Sequence, residues 1–371
     1  MTPLDWIVAA ALGVFTVRRY VYWFGSLLPR NADPESRTSA VVVLVAARNE
    51  QKNLPRLLAA LDRTDYPEDQ LSFVLVSDGS TDETPAIMQT WVAKKARAQA
   101  IILSSNQGKG GALQAGFEAA PTSDLVVVFD ADTVPEPAAI ARMAGAFVDP
   151  AVAGACGYPD PGVDHISIVA HYAALERWVA HLVMFAGKDR LNLQPPVIGA
   201  LCCIRAKALR EAGGFPRGTL VEDIHVSMAL HEKGWKTRWI RDAVAREDVP
   251  TDLNGFRMQR LRWSRGLMGS GTRAKGLEDV FVAAGYLDRL ALLAGVVLAF
   301  TSGFPPWLPA AYAVAPIIMV LTGLLRAKAP NKLRYLMSIV PMTFIDIGVT
   351  IEATVTQIAR APLRWERRYL R

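Results

Sequence analysis

In the segment FDADTVPEP, Asp130 and Asp132 stand one residue apart, directly after the apolar run DLVVV. Carboxylates at the end of a buried strand can hold a hard cation. Mg²⁺ and Mn²⁺ take oxygen ligands, and Mg²⁺ commonly takes one or two carboxylates with substrate phosphates. Read alone, the pair is as readily a plain strand end, since Asp is ordinary turn chemistry. In LVEDIHVSMALHEKGW, Glu222 and Asp223 open a helix. The helix dipole favours a carboxylate there, and such an acid can serve as general base toward a hydroxyl nucleophile; the plainer alternative is a first-turn acid. His225 could add a third metal ligand, against the simpler reading of a solvated histidine on a helix face. Lys109 lies in GKGG, where a helix start offers backbone N–H groups to phosphate, although the spacing is not that of a P-loop. In QRLRW, Gln259, Arg262 and Trp263 share one helix face. Arg262 suits a diphosphate, and Trp263 suits a ring or aglycone. The bland reading of that helix is a basic amphipathic segment on a membrane surface.

The elements that must position these residues read as alternating strands and helices from residue 36 to about 250. SAVVVLVAA (39–47), LSFVLVSD (71–78), AIILSS (100–105) and DLVVVFD (124–130) are strands, with EQKNLPRLLAALDR, TDETPAIMQTWVAKK and KGGALQAGFEAA as helices between them. Continuous apolar strands alternating with helices imply a mostly parallel sheet covered on both faces. In such sheets ligands bind at the carboxyl ends of the strands. The polar residues collect there: Arg48, Asn49 and Glu50 after the first strand, Asp78 and Gly79 after the second, Asn106, Gly108 and Lys109 after the third, Asp130 and Asp132 after the fourth. Four such clusters in register point to one crevice.

The rest of the chain points to a membrane. Of 371 residues 51% are hydrophobic, and the three cysteines, Cys156, Cys202 and Cys203, are too few for a disulfide framework. A reducing compartment is the simpler reading. The net charge of +6 is mild, with arginines in the C-terminal third, so a membrane surface or a phosphorylated substrate fits better than nucleic acid. Trp6 to Val17 is apolar but is followed by Arg18 and Arg19, the reverse of a signal peptide. It reads as an anchor helix that spans with snorkelling arginines or lies in the interface. Leu290 to Ser302, Trp307 to Leu325 and Tyr335 to Ala359 are three further apolar segments. A span needs about 20 residues. The first is short and could be half of a re-entrant hairpin turning at Pro305 and Pro306. Asp346 and Glu352 lie inside the third, where acids are costly and often functional unless the helix is partly interfacial.

Taken in order, ARNE, SDGSTD, NQGKGGALQAG, DADT, VED and QRLRW resemble the membrane-integrated, inverting glycosyltransferases of family 2, which have the α/β GT-A fold. Cellulose, chitin, hyaluronan and poly-N-acetylglucosamine synthases and ceramide glucosyltransferases belong there. The resemblance covers residues 40 to about 270. It implies a donor site of Arg48, Glu50, Asp78, Lys109, Asp130, Gln259 and Arg262, with Glu50 and Asp78 at the nucleoside. Asp132 would bind Mg²⁺ or Mn²⁺ on the diphosphate, Asp223 would be the base, and Glu222 and Trp263 would border the acceptor. Ala46, Ser77, Gln114, Val221 and His225 depart from commoner family residues, and none of these departures removes a core carboxylate.

The expected organisation is an anchor helix over 1–35, a cytosolic GT-A domain over 36–250, interface helices over 251–286, and membrane helices with a basic tail over 287–371. The expected activity is transfer from a nucleotide sugar, UDP-linked by preference, to a growing polysaccharide or a lipid, at a bacterial inner membrane. A catalytically silent membrane scaffold of the same fold is the competing reading. Topology carries a conflict. RAKAPNKLR (326–334) and the tail RAPLRWERRYLR (360–371) are both basic, and the positive-inside rule wants both inside, yet a spanning third segment separates them. Either the tail breaks the rule, or one of the three C-terminal segments is re-entrant or interfacial, the second being preferred.

Overall fold

The computed structural model describes residues 2–29, 39–162, 167–271, 275, 277–285, 288–327, 329 and 331–359. The basic tail 360–371 lies outside them. The chain begins with helix α1 (Pro3–Gly25) and then alternates: β1 (Val41–Ala47), α2 (Leu54–Leu61), β2 (Leu71–Asp78), α3 (Thr84–Val92), β3 (Ala98–Leu103), α4 (Gly108–Ala119) and β4 (Leu125–Asp130). A short β5 (Thr133–Pro135), α5 (Ala139–Gly145) and β6 (Val152–Asp160) follow. Next come α6 (Ile168–Trp178), a π-helical turn over Val179–Phe185, α7 (Ala186–Arg190), β7 (Leu201–Arg205), α8 (Ala206–Glu211), α9 (Glu222–Glu232) and β8 (Lys236–Glu247). The C-terminal third is helical: α10 (Leu253–Ser270), α11 (Leu277–Ala283), α12 (Asp288–Thr301), α13 (Trp307–Arg326) and α14 (Lys332–Ile358).

Two compact units form. One contains residues 30–161 and 194–248; the other contains 1–29, 162–193 and 249–371. Residues 162–193, which a linear reading keeps inside 36–250, cluster with the helical unit. Their apolar α6 face packs against helices rather than against the sheet, as where Tyr172 meets Phe256.

The sheet unit is one eight-stranded sheet in the order β3-β2-β1-β4-β7-β6-β8-β5. The first four strands are parallel. Past β4 the sheet mixes, with β7 antiparallel to both neighbours and β5 antiparallel to β8. Successive side chains on a strand point to opposite faces. Val41, Val43, Val45, Leu125, Val127 and Phe129 meet Leu57 of α2, Met88 of α3 and Ile140 of α5 in one core. The even positions face α4, where a Cβ on Gly116 would lie 2.9 Å from Val76 and 3.7 Å from Leu44. That parity puts Asp78 and Asp130 on the α4 face at the ends of their strands. The third strand starts two residues earlier than its apolar run suggests, and as a sheet edge it is only half-buried.

In the helical unit, α1, α13 and α14 are long and apolar enough to cross a membrane. The helix α12 has 14 residues, about 21 Å at 1.5 Å per residue. It runs antiparallel to α1 in fixed register: Ser302 donates to Asp5 at 3.2 Å, Gly295 meets Leu12, and Asp288 pairs with Arg19 at 2.7 Å. After the turn at Pro305 and Pro306, α13 returns parallel to α1, with Trp23 donating to Thr322 at 3.0 Å and Arg326 to the Ser26 carbonyl at 2.7 Å. The arginines of α1 do not snorkel. Arg19 stacks over Tyr312, and Arg18 packs on the rings of Phe15, Tyr22 and Phe281. Asp346 and Glu352 of α14 are also paired, Asp346 with Arg289 at 2.5 Å and Arg260 at 3.2 Å, and Glu352 with Arg257.

Candidate active site

The strand-end loops are tied to one another. Asn49, at the end of β1, adopts φ 56°, a left-handed conformation that Asn tolerates. Its side-chain oxygen accepts the Thr81 N–H at 2.8 Å, and the next residue, Glu50, donates its N–H to Thr84 at 2.8 Å. Both partners belong to the turn after β2. That turn needs Gly79 (φ +62°), because a Cβ there would lie 2.6 Å from the Asn106 nitrogen. Asp78 is buried and accepts the Gln107 N–H at 2.6 Å, which joins β2 to the start of α4. Glu50 is buried and accepts from Asn53 at 2.9 Å, while Arg48 is exposed.

Lys109, one residue into α4, reaches across to β4 and α9. Its Nζ is 2.6 Å from Asp130 and 2.9 Å from Glu222. Burial alone would push this ammonium down, but Asp130, Glu222 and Asp223 outweigh it and hold the Lys109 pKa well above the ordinary value. Asp223 sits beside this hub at the N-terminus of α9. One of its oxygens accepts the Gly199 N–H at 2.9 Å and the other its neighbour Ile224 N–H at 2.8 Å. A Cβ on Gly199 would lie 2.6 Å from Lys109 Nζ, so any side chain there would displace the lysine. Ser227, one turn along, donates to the Asp223 carbonyl at 2.8 Å and receives the Val197 N–H at 2.9 Å, pinning α9 to the loop that carries Gly199. Behind Glu222 and Asp223 lies an apolar pocket of Leu113, Val128, Cys202, Ile204, Phe215 and Val226. Burial pushes the Cys202 thiol up, so it is apolar lining rather than a nucleophile.

Asp132 is half-buried beyond β4. Burial, then the neighbouring carboxylates of Asp130 and Glu247, push its pKa up to about 7. Glu247 is the residue that sequence reasoning missed. Nothing in AREDVP singles it out, and only the pairing of Thr133 in β5 with Glu247 in β8 brings this acid to Asp132. The acids fit a divalent cation, which relieves the crowding of like charge that their positions impose. No group of three metal-binding side chains occurs among the described residues, so His225 completes no protein cage. One or two carboxylates suffice for Mg²⁺ when substrate phosphates supply the remaining oxygens.

Gln259, Arg262 and Trp263 lie on α10 in the helical unit, all half-buried. Trp263 stacks against Arg177 and Arg260, with guanidinium carbons 5.1 and 5.4 Å from its ring centre.

Comparison with known proteins bears on the family and the fold. The family described as glycosyltransferase like family 2 matches residues 38–266. A probable glycosyltransferase, YdaM, of Bacillus subtilis is 25% identical over 252 residues, covering 67% of this chain and 60% of its own length. A rice (Oryza sativa) glucomannan 4-beta-mannosyltransferase is 27% identical over 262 residues, covering 63% of this chain and 47% of its own. The chain thus spans 60% or less of the length of these two relatives. Among solved structures, the mannosyltransferase PcManGT from Pyrobaculum calidifontis, in complex with GDP-Man and Mn²⁺, superposes with a TM-score of 0.62 over 97% of this chain and 100% of that one. At 20% identity this establishes a shared fold.

Proposed function

Because the chain belongs to the glycosyltransferase-like family 2, we propose that it is a membrane glycosyltransferase that moves a sugar from a nucleotide-sugar donor to a hydroxyl acceptor with inversion at the anomeric carbon. The observation that carries this reading is the hub in which Lys109 gathers Asp130 and Glu222 beside Asp223. Asp223, oriented by two backbone N–H groups, takes the proton of the acceptor hydroxyl. The freed oxygen attacks the anomeric carbon opposite the leaving nucleoside diphosphate, so an α-linked donor gives a β-linked product. Lys109 keeps Asp130 and Glu222 from repelling the incoming diphosphate. Glu50 and Asp78 hold the nucleoside, Arg48 lies at the donor rim, and Glu222 borders the acceptor. Asp132, with the diphosphate, would hold Mg²⁺ or Mn²⁺, which when bound offsets charge on the leaving group. Gln259, Arg262 and Trp263 keep, on their motif alone, the donor-closing and acceptor-bordering roles of the family.

UDP-sugars are the first donor reading. GDP-mannose is the second, favoured by the ligand of the Pyrobaculum structure and by the mannosyltransferase among the relatives. The acceptor is a lipid or a growing polysaccharide, and the enzyme works at a bacterial inner membrane with its sheet unit in the cytosol. Membranes containing the chain, given labelled UDP-glucose, UDP-N-acetylglucosamine, UDP-galactose or GDP-mannose with Mg²⁺ or Mn²⁺, test this. Label in an organic extract identifies a glycolipid product, and label in a high-mass aqueous fraction identifies a polymer. No label from any donor, in a chain that also fails to bind UDP or GDP, would favour the silent scaffold.

A further inference from the structure

The helix α14 is long and apolar enough to span, but its neighbours place it elsewhere. It runs beside α10 in the same chain direction. Met342 and Ile345 meet Phe256, Asp346 pairs with Arg260, Val349 and Ala353 cover Leu261, and Gln357 accepts from Arg265 at 3.2 Å. The helix α10 carries Arg257, Arg260, Arg262 and Arg265. Arg257 and Arg260 meet acids of α14. Arginine is costly at a bilayer centre, and four on one 18-residue helix put α10 at the water interface. A helix that shares so much of its length with α10 lies there too. The first half of α14 packs on α6, through Tyr335 against His171 and Trp178.

The other face of α14 is an unbroken apolar stripe. Leu333, Met337, Val340, Phe344, Val355 and Ile358 are all exposed, at helical spacing. One face charged and paired, the other apolar and exposed, is the pattern of a helix lying in a membrane surface. The register of α1, α12 and α13 brings the chain back to the C-terminal end of α1 before α14 begins, since α12 leads to the N-terminal end of α1 and α13 returns to its C-terminal end.

We propose that α14 lies in the plane of the membrane surface, its Leu333–Ile358 stripe seated in the headgroup and acyl boundary of the leaflet at the C-terminal end of α13. The stripe then contacts lipid, and the chain ends on the side of the membrane that holds residues 326–334. Both basic segments satisfy the positive-inside rule together, which a spanning α14 forbids.

Single cysteines at the exposed positions test this in the full chain, reconstituted in phosphatidylcholine–phosphatidylglycerol vesicles. The three native cysteines are buried and give little background. Fluorophores on Leu333→Cys, Phe344→Cys and Ile358→Cys, quenched by lipids spin-labelled at graded depths, should report one shared shallow depth, about 5–10 Å into the boundary. A spanning helix would instead put Phe344→Cys deep and the other two in opposite leaflets, overturning the proposal. As a second readout, an impermeant thiol reagent should reach Arg334→Cys, at an exposed position, and a cysteine added after Arg371 from the same side. Labelling from opposite sides would overturn it as well. Neither readout depends on sugar transfer.

Discussion

Asp223 is held by backbone N–H groups on both oxygens; Asn keeps the side-chain shape and one of these two bonds while losing the basic carboxylate. Asp223→Asn should therefore lower kcat by about 10²–10⁴-fold, the usual worth of a general base, with nucleoside diphosphate affinity unchanged by calorimetry. Lys109→Met leaves Asp130 and Glu222 facing one another without their shared cation. Loss of charge-assisted bonds of about 1.5–3 kcal/mol should weaken UDP or GDP binding by about tenfold or more; equal affinity would remove Lys109 from the site. The individual acids were legible in the sequence, because strand ends and a helix start announce them. The Lys109 bonds were not, since Glu222 reaches Lys109 only after β7 and α9 have formed. Glu247 gave no signal at all, being an acid at the end of β8, a strand with no long apolar run.

At the level of elements, two close approaches set the site and the helical unit. In the first, α4 meets the segment before α9, where a Cβ on Gly110 would lie 2.0 Å from the Pro216 carbonyl oxygen. Backbone cannot yield there as a side chain would. Gly110→Ala should cost about 1–3 kcal/mol in stability, as overpacking does, and should lower activity beyond that loss by moving Lys109 from Glu222. Thermal unfolding and kinetics on the same preparation check both. The second is the Glu176–Arg260–Asp346–Arg289 cluster. Asp346→Ala leaves two arginines to share Glu176 and should destabilise by up to about 3–5 kcal/mol, visible as a lower midpoint in detergent. The strands β1 to β4 and the helices between them were readable from apolar runs, whereas β5 to β8 were not read; α12, α13 and α14 begin and end within three residues of their apolar segments. The sequence could not show that the acids of α14 are partnered, because their arginines come from α10 and α12.

For the whole molecule, the order of motifs along the chain was enough to indicate the family, and the sheet order and the family match agree with it. The grouping of residues 162–193 with the helical unit was not legible, because a linear reading cannot see which neighbours an amphipathic helix chooses. The central claim is that the Asp223 site transfers sugar, and one measurement meets it directly. Release of nucleoside diphosphate and incorporation of labelled sugar are followed together across the four donors, in membranes holding equal amounts of folded wild type and Asp223→Asn. The account predicts that at least one donor gives both signals in the wild type, in equal amounts, and that both fall at least about 100-fold in the variant. Equal transfer by the two proteins would contradict it.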